Sequence, residues 1–394
     1  MYTIVCVALI VGSLGAAVVA AHKLGGSDSH IVWVLAATIF LHFSGAFPFP
    51  TQCFAYPLFV GVLWLLTAAV RHPSQKRVYF VFPLLLLWAN AHGSVIIGVA
   101  LAALYGLVLL AEDFRAGRRW RVRLRGIVFV LATPLCLLAT PYGIHGLSYY
   151  YATIMNPAFK TFITEWEPIT SVLTLAVPFF VCAFAIVWIF GLARGRTCLF
   201  EALAMLALTV ASIWAVRNIV WFALAALILV PQMLGTVVPS HPSTSHRRFD
   251  FALLGVGTIL LLTSLAVVAT EYNSWFEQRF DTRALQQVRD TLRRQPDTLV
   301  FANGNFPDWL LWHDPDLAGH VAYDSRSEVL TSAQMLQLMT LTEIRPAGIP
   351  DPLSKYGLLV LDTARASPEL FIDPPRVHVV LRGRGVVVAT RSGG

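Results

Sequence analysis

Eight stretches of the chain, at about 3–21, 31–47, 53–70, 126–140, 171–192, 199–215, 218–238 and 251–270, stay apolar for roughly the thickness of a bilayer's hydrocarbon. No other feature restricts the fold as tightly. Backbone in hydrocarbon must satisfy its own polar groups, so long uninterrupted apolar runs become helices. With 57% hydrophobic and 13% charged residues in 394, the chain has too little polar surface for a soluble fold of that size. The expected architecture is an α-helical polytopic membrane domain. Charge shows where it stops: residues 1–270 hold 16 Lys/Arg and 7 Asp/Glu, and residues 271–394 hold 13 and 15. Residues 1–270 are therefore read as the transmembrane domain, and 271–394 as a small soluble α/β domain.

Residues 78–111 lie between two basic clusters, Arg71/Lys76/Arg77 and Arg115/Arg118/Arg119/Arg121/Arg123/Arg125. If both clusters face the cytoplasm, 78–111 must enter and leave on one side. The turn falls at Asn90-Ala91-His92-Gly93, giving a short arm near 79–89 and a longer one near 94–111. This makes ten membrane segments, with 14 positive charges on the cytoplasmic side and only Lys160 and Arg217 on the other. The N-terminus and the tail are then extracytoplasmic, which suits a multi-pass membrane protein. The pI near 9.3 does not indicate nucleic acid as a partner, because the excess charge sits in short loops where orientation explains it. Membrane lipid is the expected partner. Residues 1–21 have no basic n-region, so they are expected to be a retained span rather than a signal peptide.

The tail pattern predicts an amphipathic helix over 275–294, helices near 306–312 and 332–342, and strands at 298–302, 320–323, 357–361, 377–381 and 385–390. All five cysteines precede residue 271, so no disulfide can form within the tail.

Four groups carry candidate chemistry. Asn90 and His92, at the hairpin tip, suit a phosphate or sugar hydroxyls, or equally the capping of two half-helices. Glu165 and Glu167 flank Trp166 on the long outer loop 140–171, a setting for sugar recognition or general-base work on a hydroxyl, or for a solvated edge. Arg217 and Asn218, between two spans, suit a lipid phosphate, or snorkelling to headgroups. Asp324 and Arg326, at a strand end, suit a structural pair or a docking contact. The sequence holds no Walker loop, HExxH or Cys/His metal spacing.

In order along the chain, WANAHGSVIIG, TPYGIHGL, ITEWEP, RNIVWFAL and FPDWLLWHDPDLAGHVAYDSR together resemble bacterial polytopic relatives of the GT-C-type, protein-mannosyltransferase-like glycosyltransferases. The resemblance implies a place in a bacterial cytoplasmic (inner) membrane and transfer of a sugar from a polyprenyl-phosphate carrier to an extracytoplasmic acceptor, often with a divalent metal. It adds Tyr142 and His145 to the substrate-binding set, with Glu165 and Glu167 as catalytic candidates. The matching pattern begins at what looks like the family's second span, so the first span and the first outer loop, home of the family's usual acid, are expected to be missing. The alternative expectation is a non-catalytic protein that binds lipid-linked saccharide or scaffolds an envelope complex through a protein partner.

Overall fold

The computed structural model describes residues 2–44, 51–156, 159, 163–193, 195, 197–239, 262–263, 266–267, 269–270, 278–324, 330–336, 353–364 and 377–391. The chain divides into two compact units, Met1–Met155 with Phe159–Leu261, and Asn156–Ala158 with Leu262–Gly394.

The first unit is helical: α1 (Tyr2–Lys23), α2 (Asp28–Ser44), α3 (Tyr56–Arg71), α4 (Val81–Ala91), α5 (Val95–Arg115), α6 (Trp120–Leu135), α7 (His145–Met155), α8 (Leu173–Leu192), α9 (Leu199–Trp214) and α10 (Ile219–Val237). Five segments are long and apolar enough to cross a membrane: Ile4–Lys23, Thr51–Arg71, Val95–Arg115, Leu173–Leu192 and Val216–Val237. This is a multi-pass membrane protein. α2 is shorter at 17 residues, and α6 and α9 are shorter at 16 each. The expected span at 251–270 lies almost wholly outside the described residues.

The 78–111 segment is a helix–turn–helix of unequal arms, as expected. α4 has 11 residues, about 16 Å at the helical rise and half a hydrocarbon layer. Its turn comes two residues later than expected, at His92-Gly93-Ser94, and Asn90 belongs to the last turn of α4. Gly98 lets the arms close, because a Cβ there would stand 2.6 Å from the Trp88 ring and 2.9 Å from Leu85. The α5–α6 crossing uses the same device, with Gly106 and Gly126 each facing the other's carbonyl.

α10 is the axis of the unit. It packs against α1, α2, α3, α8 and α9, and its side chains are buried along nearly its whole length. Trp221 near its start joins Tyr56, Phe59 and Trp88 with ring centroids 5.1–5.6 Å away, and such offset and edge contacts add to plain area burial.

At one end of the bundle a buried ion pair ties four elements. Arg71 Nε and Nη2 reach the Glu201 carboxylate at 2.8 and 2.7 Å. Arg71 Nη1 donates to the Leu24 carbonyl at 2.9 Å and to the Gln232 side chain. The other Glu201 oxygen accepts from the Cys198 amide at 3.3 Å, capping α9. Glu201 is completely buried, so removal of Arg71 strands a charge, at a cost of about 3–5 kcal/mol. The ends gathered here, of α1, α3 and α10 with the start of α9, are those the arginine distribution assigns to one side.

The second unit is a four-stranded sheet in the order β1-β2-β4-β3: β1 (Val300–Ala302), β2 (Leu358–Asp362), β3 (Val377–Gly383) and β4 (Val386–Arg391). β1 runs parallel to β2, and β2–β4 and β4–β3 are antiparallel. Alternation sorts the side chains cleanly. Val300, Ala302, Leu358, Val360, Val386 and Val388 meet α11 (Thr282–Arg294) and α12 (Phe306–His313) on one face. Phe301, Leu359, Leu361, Val387 and Ala389 pack on the other with Leu353 and Tyr356. Burial on both faces explains why β2 reads Leu-Leu-Val-Leu without alternation.

α11 starts at Thr282 rather than 275, because Asp281 caps it by accepting from the Arg283 amide at 3.0 Å. Asp281 also takes the Arg384 amide at 3.2 Å, pinning the β3–β4 turn. A Cβ on Gly383 would stand 2.3 Å from that carboxylate, so only glycine admits the approach. Hydrogen bonds from Arg283 hold the Asp281 carboxyl low, at about 2. The strand expected at 320–323 is a single bridge, Val300 to Val321. Of the expected 332–342 helix, only 332–336 lies within the described residues, where it is helical.

Candidate functional site

At the other end of the helical unit, two short segments carry the charged and aromatic candidates. The turn Thr164–Trp166 packs against the turn Val216–Asn218, and the Glu167 carbonyl accepts from the Val216 amide at 3.0 Å. That seat places the Arg217 guanidinium 4.5 Å from the centre of the Trp166 ring, a cation–π contact. Trp166 is in turn braced by Phe159 at 5.6 Å and by Trp214 at 6.1 Å. Gln52, buried ahead of α3, donates to the Arg217 carbonyl at 3.3 Å. Asn218 spends its amide on the Ala211 carbonyl at 2.9 Å, joining α9 to α10 rather than facing a ligand.

His92 is held in one orientation. Ser94 N donates to His92 Nδ1 at 3.0 Å, so Nδ1 is the unprotonated nitrogen and Nε2 carries the hydrogen. The Ser94 hydroxyl lies 2.8 Å from the same Nδ1 and accepts from Trp88 Nε1 at 3.1 Å. A neutral imidazole with its hydrogen on Nε2 is a hydrogen-bond donor there, not a base. The charge of Arg217 acts on His92, and the charges of Glu165 and Arg217 both act on the Tyr56 hydroxyl. His92, Glu165, Trp166, Arg217 and Tyr56 thus share one electrostatic neighbourhood, built over the Trp88–Trp221–Tyr56 aromatic cluster.

The other candidates have partners or surroundings of their own. Both Asn90 amide hydrogens are used, on the Leu86 carbonyl at 2.9 Å and the Ala139 carbonyl at 2.8 Å, so the residue staples the hairpin to the segment after α6. Tyr142 and His145 are exposed at the entry to α7, where the Tyr142 carbonyl accepts from the His145 amide. In α7 itself, Tyr149 and Tyr150 cover Gly93. Glu167 is half-buried, two residues from Glu165. In the second unit Asp324 lines an open groove of about 410 Å³ with Leu311, Pro315, Tyr323 and Leu330, among others. Arg326 lies outside the described residues.

Sequence reasoning missed Gln52, Tyr56 and Ser94. Gln52 and Ser94 carried a usable signal, as polar side chains at the mouths of apolar runs. Tyr56 carried none, since an aromatic at a helix start is ordinarily packing.

The donor set was tested against a divalent metal. Among the described residues no three His, Cys, Asp or Glu side chains come together. Glu165 and Glu167 are separated by Trp166, which packs away onto Arg217. The described residues therefore assemble no metal site of three protein donors.

No protein-family model matches the chain, and no curated protein matches it.

Proposed function

We propose that the protein is a GT-C-like membrane glycosyltransferase that takes a sugar from a polyprenyl-phosphate carrier and passes it to an acceptor outside the cytoplasm. One observation carries this reading: Arg217 is seated on Trp166, the chain neighbour of Glu165, and its charge reaches the neutral imidazole of His92. A guanidinium fixed on an aromatic face is a phosphate receptor with little left to lose in side-chain entropy. Glu165 accepts the proton of the acceptor hydroxyl, and the acceptor oxygen forms the bond to the anomeric carbon. The carbon–oxygen bond to phosphate breaks, and polyprenyl phosphate leaves with the electron pair, its charge met by Arg217 and by His92 Nε2–H. In this reading ten segments cross or enter the membrane, and the tail lies on the same side as Arg217.

The test uses the reconstituted full chain with a polyprenyl-phosphate-linked radiolabelled hexose and washed envelope acceptor. Arg217→Gln is expected to weaken carrier binding at least tenfold. Glu165→Gln is expected to leave binding intact and to abolish transfer. Binding without transfer in the unaltered protein would favour a saccharide-binding scaffold, and unchanged transfer in both variants would remove the assignment.

A further inference from the structure

The basic residues between α5 and α6 do more than orient the chain. Two cations at this end of the bundle already have partners: Arg71 on Glu201, and Arg118 on Asp113 at 3.0 Å. Lys76, Arg77, Arg115, Arg119 and Arg121 are exposed, and among the described residues none of them has an ion-pair partner. Arg125 Nη1 donates to the Pro73 carbonyl, which brings the Lys76/Arg77 turn against the start of α6. All five cations therefore belong to one crown.

Beneath them, two more arginines are held without a counter-charge. Arg123 stacks 3.9 Å from the centre of the Phe114 ring, and Arg125 lies 5.8 Å from that of Tyr105. Nε of both, and Nη2 of Arg125, are buried with no hydrogen-bond partner. Partly buried positive charge of this kind is felt strongly, because little solvent screens it. Of the two carboxylates at the end of α5, Glu112 is exposed and Asp113 is already spent on Arg118.

The crown is also ringed with exposed apolar side chains. Phe114, Trp120 and Phe80 are each more than 60% exposed, and Tyr79, Val122 and Leu124 are exposed as well. Exposed aromatics interleaved with arginines belong at the boundary between headgroups and hydrocarbon. A water-borne polyanion would meet those apolar groups unfavourably, whereas a lipid presents its phosphate at the depth of the arginines and its chains at the depth of the rings.

We propose that this crown is a binding site for the phosphate groups of anionic phospholipids. It is independent of the transferase reading, since it lies at the opposite end of the helical unit from Arg217.

The experiment is native mass spectrometry of the full-length protein released from nanodiscs of equal phosphatidylglycerol and phosphatidylcholine. The unaltered protein is expected to retain phosphatidylglycerol at least tenfold over phosphatidylcholine. The variant K76Q/R77Q/R119Q/R121Q is expected to lose that preference, and K76R/R119K/R121K, which keeps the charge, to retain it. R293Q/R294Q, in the second unit, is expected to change nothing. Equal retention of both lipids by the unaltered protein would overturn the proposal, as would an undiminished preference in the quadruple variant. Displacement of the lipid by millimolar glycerol 3-phosphate would do so too, because it would make this a site for soluble phosphate. Should the quadruple variant not fold, R121Q alone is expected to lower the preference, and no change in it would also overturn the proposal.

Discussion

Asp281 shows how one side chain can hold two elements. Its carboxylate caps α11 and also takes the Arg384 amide of the β3–β4 turn, and Arg283 lowers its pKa to about 2. A carboxyl held low when folded stabilises the fold above its unfolded pKa near 4, and loses that contribution as pH falls from about 4 to about 2. Protection of the α11 amides against hydrogen exchange, measured relative to intrinsic rates in the full chain, should therefore fall across that window. In Asp281→Asn, which keeps a capping oxygen and lacks the charge, that loss of protection is expected to shrink. Asp281→Ala should cost about 1 kcal/mol at pH 7 through the lost cap. An Asp ahead of Thr-Arg-Ala-Leu is a legible N-cap in the sequence. Its second bond is not, because Arg384 lies 103 positions away.

Among the elements, close approach between helices depends on glycine. Gly126 faces the Gly106 carbonyl and Leu110, and a Cβ there would stand 2.9 Å from the former and 2.7 Å from the latter. Gly15, on α1, has nothing within 4 Å of such a Cβ. Gly126→Ala is expected to destabilise the protein by about 1–3 kcal/mol through overpacking of α5 on α6. Gly15→Ala should stay within about 0.5 kcal/mol of the unaltered protein. Thermal unfolding in one detergent compares the two, and equal midpoints would contradict the packing account. The sequence marks both positions alike, as a glycine in an apolar run. Which one has a neighbour is decided by the partner helix.

For the whole molecule, sidedness is the testable property. In a background without the native cysteines, single cysteines at positions 77 and 119 are expected to react with a membrane-impermeant maleimide from one side of sealed vesicles. Cysteines at 217 and 293 are expected to react from the other. The apolar runs and the asymmetry of Lys/Arg determined, from the sequence alone, that the chain is a multi-pass helical protein, that 78–111 turns back on itself, and that a separate α/β unit follows. Those properties depend on burial in hydrocarbon and on periodicity, and both are local in the chain. Only the tertiary structure decided that Val216–Val237 would be 78% buried and Leu173–Leu192 only 22%, although both are comparably apolar. Hydropathy measures the cost of leaving water and is blind to whether lipid or protein replaces it. The same holds at the candidate site: Glu165, Trp166 and Arg217 could each be named in advance, but what seats Trp166 on Arg217 is a backbone bond from Val216 to Glu167, across 49 residues, which no local pattern encodes.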